Sequence, residues 1–334
     1  MKQKLGVVEI LCRVNFMKTK IKNKISKYKN YSSLVNFISK KNIFQKKSIN
    51  KIILSKNKNY FQEAESITKR ILKVSRLINK KINLEKIAKI YLWYTDLLKK
   101  EELYFEKKRN YRHKSYKKVF EQVYNRPTYM FNYAIGLGVS QLFWENHLKV
   151  FQFYQKNLVK KVKKNSLIAE IGMGHGLFTA EIFKKHSKTD SLMFDVSDMC
   201  LNFAKKMSVV SGANVKNIKT SKVDIQKKVP IADGSLDILL LGEIIEHLAK
   251  GKKVMKTLSK KMKKNGLCYF STPANGPAED HILLFTKVNQ IRNFIKECSW
   301  KIIKESPITL KGMSIDFAEK NSKVINYCAI LQRK

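Results

Sequence analysis

Three glycines at alternate positions, Gly172, Gly174 and Gly176, follow an acidic residue, Glu170, in the segment SLIAEIGMGHGLF (166–178). Glycine at that density lets a backbone turn sharply and approach a ligand to contact distance, where any Cβ would obstruct it. A dinucleotide fingerprint would need its third glycine at 177, which is Leu177, so the loop is not of the pyrophosphate-holding type. Further along stand Glu243, Glu246 and His247, at i, i+3 and i+4 and hence on one face if helical, and a loop, STPANGPAEDH (271–281), that ends in Asp280 and His281. Carboxylates and imidazoles are groups that move protons, and a histidine near neutral pKa is the usual base, which makes His281 and His247 the candidates for direct action on a substrate. The same Glu/Glu/His face with Asp280 and His281 would suffice chemically for a hard divalent ion. Helix capping and solvent exposure account for these residues as well, so no metal is expected.

Elements must bring these residues together. After Asn165 short apolar runs alternate with helical stretches: 166–171, 191–196, 222–225, 236–241 and 266–271 read as buried strands, and 177–185, 197–211 and 246–264 as helices. That alternation predicts a parallel sheet covered on both faces. Two further strands are expected at 300–305 and 324–331, and a helical stretch from Ile282. From 60 to 162 the period is helical, with Ile67, Ile71 and Val74 at i, i+4, i+7 and a similar stripe through Leu84, Ile87, Ile90, Tyr91 and Tyr94. The expected organisation is a basic segment at 1–58 with small helices, an α-helical domain at 59–164, and an α/β domain at 165–334.

The glycine loop, followed by Asp195 in SLMFDVSDM 19 residues beyond Gly176, resembles the class I S-adenosylmethionine-dependent methyltransferases. Val223-Asp224-Ile225 with the P-x-x-D-x-S-x-D run at 230–237, and Gly242-Glu243-Ile244-Ile245-Glu246-His247-Leu248, extend the resemblance to type 11 and ubiquinone-biosynthesis-type small-molecule methylases. It implies a Rossmann-like sheet with helices on both faces, preceded here by the α-helical N-terminal domain, and S-adenosyl-L-methionine as cofactor. The implied cofactor-binding set is Glu170, Gly172, Gly174, Gly176, Asp195, Asp224 and Glu243: the loop wraps the methionine part, Asp195 accepts from the ribose hydroxyls, and Asp224 lies by the adenine amino group. Glu170 can instead support the loop from behind, and Asp195 or Asp224 can serve as turn acceptors or caps. In such enzymes a loop leaving strand five overhangs the acceptor, which favours His281 over His247. Helices before the first strand often form a lid, which would put Tyr133, Trp144 and His147 against substrate. Packing of that helix on the α/β domain is the competing reading.

Composition bounds the partners. With 44% hydrophobic and 10% aromatic residues the 334-residue chain can bury a substantial core. No apolar run reaches the roughly 18 residues of a membrane span. Five dispersed cysteines argue for a reducing, cytoplasmic setting, although a basic leader at 1–29, or a start at Met17, is compatible with the sequence. There are 68 Lys+Arg against 26 Asp+Glu, net +42, with 40 basic and 10 acidic residues before Asn165. Only eight are Arg, the residue best shaped for phosphate and guanine, and base-amino methylase loops of the N-P-P-Y type are absent after strand four. The expected reaction is therefore methyl transfer to a small-molecule acceptor, at oxygen rather than nitrogen or carbon. The rivals are RNA methylation guided by the Lys-rich half and a non-catalytic, cofactor-binding assembly partner.

Overall fold

The computed structural model describes residues 16, 17 and 19–334, so most of the basic leader expected at 1–29 lies outside the described residues. The chain divides into two compact units, Met1–Leu92 and Trp93–Lys334.

In the first unit α1 (Lys29–Lys41), α2 (Ile43–Ser55) and α3 (Lys58–Ile78) form where apolar residues recur at helical spacing. Leu34, Ile38, Ile53, Ile67, Ile71 and Val74 are all buried. Asn42 and Asn57 start α2 and α3 by accepting hydrogen bonds from first-turn amides, and Glu65 of α3 accepts from the Asn30 side chain and the Tyr31 amide at 2.8 Å each. The division between the units falls within α4 (Leu84–Lys108).

The second unit is built on a seven-stranded sheet: β1 (Leu167–Ile171), β2 (Asp190–Asp195), β3 (Ile218–Lys222), β4 (Leu236–Gly242), β5 (Met262–Ala274), β6 (Trp300–Thr309) and β7 (Ile325–Arg333), in the order β3-β2-β1-β4-β5-β7-β6. The first five are parallel, whereas β7 is antiparallel to both β5 and β6, so the sheet is mixed rather than all parallel. β7 runs as nearly continuous apolar chain because it is covered on both faces. Helices α7 (Leu177–Phe183), α8 (Asp198–Val210), α9 (Gly251–Lys261) and α10 (Val288–Glu297) connect the strands, and the core centres on Leu239, Leu241, Phe270, Trp300 and Tyr327. Trp300 is fully buried, and its indole N–H donates to the Met255 carbonyl at 3.1 Å.

Helices α5 (Pro127–Phe143) and α6 (Glu145–Asn157) belong to this unit too, so neither 58 nor 164 separates compact units. α6 packs on β6, β7 and α7. Asn146 donates to Asn326 at 2.8 Å, and the Tyr154 hydroxyl donates to the Phe178 carbonyl at 2.6 Å. A break at Trp144, whose backbone is extended, separates α5 from α6.

Three expected elements shift. The third strand ends at Lys222, so Asp224 sits two residues past it, outside the strand expected at 222–225. The helix expected from 246 begins only at Gly251, because the Glu246 carbonyl is taken by the Ile282 and Leu283 amides at 2.8 Å each; residues Ile245–His247 form a single 3-10 turn. The helical stretch expected from Ile282 begins at Val288, which removes a helix for His281 to cap.

Candidate active site

Strand order reverses between β1 and β4, and in open α/β sheets ligands bind in the crevice at the carboxyl ends of strands beside that point. The glycine loop leaves β1 there, Asp195 ends β2, Asp224 follows β3, Glu243 follows β4, and Ser271 to Ala274 close β5. One edge of the sheet thus gathers every residue of the expected cofactor set.

Gly172, Gly174 and Gly176 all have positive φ, at 68°, 49° and 67°. Their missing Cβ atoms serve different neighbours. At Gly172 a Cβ would collide with the Ile244 side chain, and at Gly176 it would come within 2.6 Å of Ala204 Cα in α8. At Gly174 it would meet only the tip of Leu137, at 3.2 Å, so that glycine leaves the loop surface open as a backbone-hugging ligand requires. Glu170 is buried and accepts from the Thr179 amide at 3.2 Å and from the Thr179 hydroxyl, tying β1 to the first turns of α7. Burial pushes its carboxyl up to about 7.

Asp195 and Asp224 share a local geometry. Each Oδ1 accepts from the amide two residues on, Ser197 at 2.8 Å and Gln226 at 3.0 Å, so both are turn acceptors. The helix cap of α8 is Ser197, which accepts from the Cys200 amide, and not Asp195. Burial raises the Asp195 carboxyl to about 6 against the opposing pull of backbone amides and of His247. A half-buried carboxylate so oriented fits the hydroxyl-accepting part expected of it. Together with the open surface at Gly174, it makes the strand ends compatible with S-adenosylmethionine.

The acceptor-side candidates converge from two loops. Glu243, with φ 52°, turns the chain out of β4, and its amide donates to the Ser271 carbonyl at 3.0 Å. Glu246, His247, Asp280 and His281 are all buried, at 0%, 7%, 2% and 8% exposure, so neither solvent exposure nor helix capping accounts for them. Glu246 Oε2 accepts from the Thr272 hydroxyl at 2.8 Å. His247 Nδ1 lies 3.2 Å from Asp280 Oδ2 and 3.0 Å from the Tyr124 hydroxyl. His281 Nδ1 donates to the Gly276 carbonyl at 2.7 Å, and its ring stands edge-on to His247 at 4.7 Å. The pair is driven apart electrostatically. Asp280 and Glu246 raise His247 to about 9 despite its burial, whereas burial and the neighbouring His247 push His281 down to about 3. The Asp280 carboxyl is held near 2, desolvation being outweighed by His247. Glu243 and Glu246 are both shifted upward by burial.

Tyr133, Trp144 and His147 meet in one cluster around Tyr94. Trp144 stacks on Tyr94 with centroids 5.7 Å apart, Tyr133 meets Tyr94 edge-on at 5.5 Å, and Trp144 lies 4.8 Å from His147. Gly136 permits this packing, since a Cβ there would lie 2.5 Å from Tyr94 Cβ. His147 Nδ1 lies 2.8 Å from the Ser140 hydroxyl oxygen, and burial lowers its pKa to about 4. Sequence reasoning missed Tyr111, Tyr116 and Tyr124. Tyr111 packs edge-on to His281 at 5.3 Å, and the Tyr124 hydroxyl also donates to Asp280 at 3.2 Å. They come from an irregular stretch, with a π-helical segment at Phe120–Tyr124, that carries no periodic signal.

Residues 169–270 match a family model described as a methyltransferase domain. No curated protein matches the chain. Among solved structures, the [4+2]-cyclase SpnF aligns over 57% of this chain and 82% of its own at 10% identity, TM-score 0.46. Phosphoethanolamine N-methyltransferase 2 of Haemonchus contortus aligns over 66% and 60% at 13% identity, TM-score 0.49. A SAM-dependent methyltransferase of Aquifex aeolicus aligns over 57% and 92% at 15% identity, TM-score 0.41.

Proposed function

We propose, from the premise that residues 169–270 lie within a class I S-adenosylmethionine-dependent methyltransferase domain, that this chain carries the sulfonium methyl to an oxygen of a small-molecule acceptor. The observation that carries the reading is the common carboxyl edge on which the positive-φ glycine loop, Asp195 and Asp224 stand at the ends of three adjacent strands. Bound there, S-adenosylmethionine supplies an electrophilic methyl. The chain's own residues do the rest: the loop backbone at Gly172, Gly174 and Gly176 cradles the cofactor, Asp195 and Asp224 receive its hydroxyl and amino hydrogens, and Glu170 braces the loop through Thr179.

On the acceptor side His281 and His247 have different tasks. His281 stays neutral, with Nδ1–H committed to Gly276, so its Nε2 can accept a hydrogen bond from an acceptor hydroxyl and aim it. His247 is held as an imidazolium by Asp280 and Glu246, which suits it to offset negative charge rather than to take a proton. Orientation of the oxygen in line with the methyl supplies most of the acceleration in such a transfer. Tyr133, Trp144 and His147 form the wall over the acceptor. Free, buried Cys200, Cys268, Cys298 and Cys328 support a cytoplasmic setting, and no helix among the described residues is long and apolar enough to cross a membrane.

Cell extracts incubated with the protein and methyl-labelled cofactor should yield a labelled low-molecular-weight ether or ester by mass spectrometry. Label appearing only on nitrogen or carbon would overturn the choice of oxygen.

A further inference from the structure

Gln141 lies on α5 one turn beyond Leu137 and is 5% exposed. Its amide nitrogen stands 3.4 Å from the Leu137 carbonyl oxygen and 3.4 Å from His147 Nδ1. Turning the amide over would set oxygen against the Leu137 oxygen, so its orientation is fixed. Oε1 is thereby left without a hydrogen-bond partner among the described residues. A buried amide oxygen that no donor meets is costly, and few such atoms persist without a ligand or water to satisfy them.

The glycine loop presents the opposite need. His175, between Gly174 and Gly176, is 3% exposed, and its Nδ1 accepts from the Leu177 amide at 2.9 Å. Burial, and after it the neighbouring His147, holds its pKa down at about 3, so the ring is neutral with its one proton on Nε2. Among the described residues that N–H meets no acceptor, and neither do the Gly174 and His175 amides. Successive backbone N–H groups in such a turn form a concavity that attracts anions. The Met173 amide, just before them, donates to Asp195. The tip of Leu137 stands 3.2 Å from where a Cβ of Gly174 would lie, and residues four apart share a helix face, which puts Gln141 on the side of α5 turned to the loop. His147 joins the two, beside the Gln141 amide and within electrostatic reach of His175.

We propose that Gln141 and His175 bind the amino-acid end of the cofactor: Gln141 Oε1 accepts from its α-ammonium, and His175 Nε2–H donates, with the Gly174 and His175 amides, to its α-carboxylate. An ammonium offers only donors and a carboxylate only acceptors, so this pairing satisfies the lone acceptor and the three donors together. The assignment rests on the methyl-transfer reading. Gln141 lies outside the stretch 169–270 that matches the methyltransferase model, so its part belongs to this chain's own α5. Through it the helix before the sheet discriminates cofactors by their zwitterionic end rather than by the nucleoside.

The test titrates the full chain calorimetrically with S-adenosylhomocysteine, with decarboxylated S-adenosylmethionine, which keeps the amine and lacks the carboxylate, and with methylthioadenosine, which lacks both. Wild type should bind S-adenosylhomocysteine at least ~10-fold more tightly than methylthioadenosine. Gln141→Met keeps the volume and removes the acceptor. It should weaken S-adenosylhomocysteine and decarboxylated S-adenosylmethionine by at least ~10-fold each and leave methylthioadenosine within about twofold of wild type. His175→Asn keeps an acceptor for the Leu177 amide through an Asx turn but ends short of Nε2, and it should weaken S-adenosylhomocysteine alone, by a similar factor. Equal losses on all the compounds, or wild-type affinity in both variants, overturn the proposal. So does a wild type that binds S-adenosylhomocysteine and methylthioadenosine equally, whether or not the variants fold, and that result spares the methyl-transfer reading. A wild type that binds none of the compounds sinks both.

Discussion

Replacing Gly176 with alanine should damage the protein in a different way from the same change at Gly174, two residues away. At Gly176 the φ of 67° costs an L residue about 1–2 kcal/mol. The new Cβ would also stand 2.6 Å from Ala204 Cα and 2.8 Å from Ala204 Cβ, so the loop and α8 must separate, an overpacking cost of about 1–3 kcal/mol. The sum, about 3 kcal/mol, lowers the melting temperature by about 10 °C in a unit of this size. At Gly174 the φ is 49° and the nearest atom is the mobile end of Leu137 at 3.2 Å, so Gly174→Ala should cost only the backbone strain, about 1 kcal/mol, or about 3 °C. Its methyl would project from the face of the loop proposed to hold the cofactor, and S-adenosylmethionine affinity should fall at least ~10-fold, about 1.4 kcal/mol. Differential scanning calorimetry and titration calorimetry on the same preparations measure both quantities. A Gly176→Ala protein that melts within about 2 °C of wild type would refute the account of helix–strand approach. A Gly174→Ala protein that binds cofactor normally would refute the cradle.

Asp195→Ala should weaken S-adenosylmethionine binding by about 2 kcal/mol, roughly thirtyfold, and titration calorimetry showing unchanged affinity would remove its proposed role. Burial raises the folded-state pKa of Glu170 to about 7, so the folded protein holds that proton more tightly than the unfolded chain. Its contribution to stability is therefore greatest below the ordinary carboxylate range and falls by about 3 kcal/mol as pH rises to 7. Urea unfolding at several pH values should show Glu170→Gln gaining on wild type across that interval, and wild type gaining on the variant as pH rises would contradict the sign. RNA should bind weakly, with affinity erased by salt and no methyl transfer; labelled RNA at near-physiological ionic strength would promote the RNA rival.

The parts of this protein carried by local chemistry were legible in its sequence. Alternate glycines after an apolar run announce a strand, a tight turn and a close approach, because no other residue tolerates φ near 60° without cost, and the structure places Gly172, Gly174 and Gly176 in that region. Apolar runs separated by helical stretches announced the strands β1, β2, β4 and β5 of a covered sheet, since burial on two faces requires them, whereas the edge strand β3, with only Ile218 buried, formed at 218–222 and not at 222–225. Tertiary structure alone decided the rest. The antiparallel insertion of β7 between β5 and β6 depends on pairing with β5, whose partners such as Ala274 and Ile325 lie more than fifty residues apart, and on this strand periodicity is silent. The helix expected at 246 gave way because the Glu246 carbonyl found better partners in Ile282 and Leu283 than in its own next turn. For the same reason Glu246, His247 and His281, which the sequence offered as candidates on two separate segments, are buried together: two loops fold over one another, and only their meeting leaves a carboxylate oxygen facing two imidazoles.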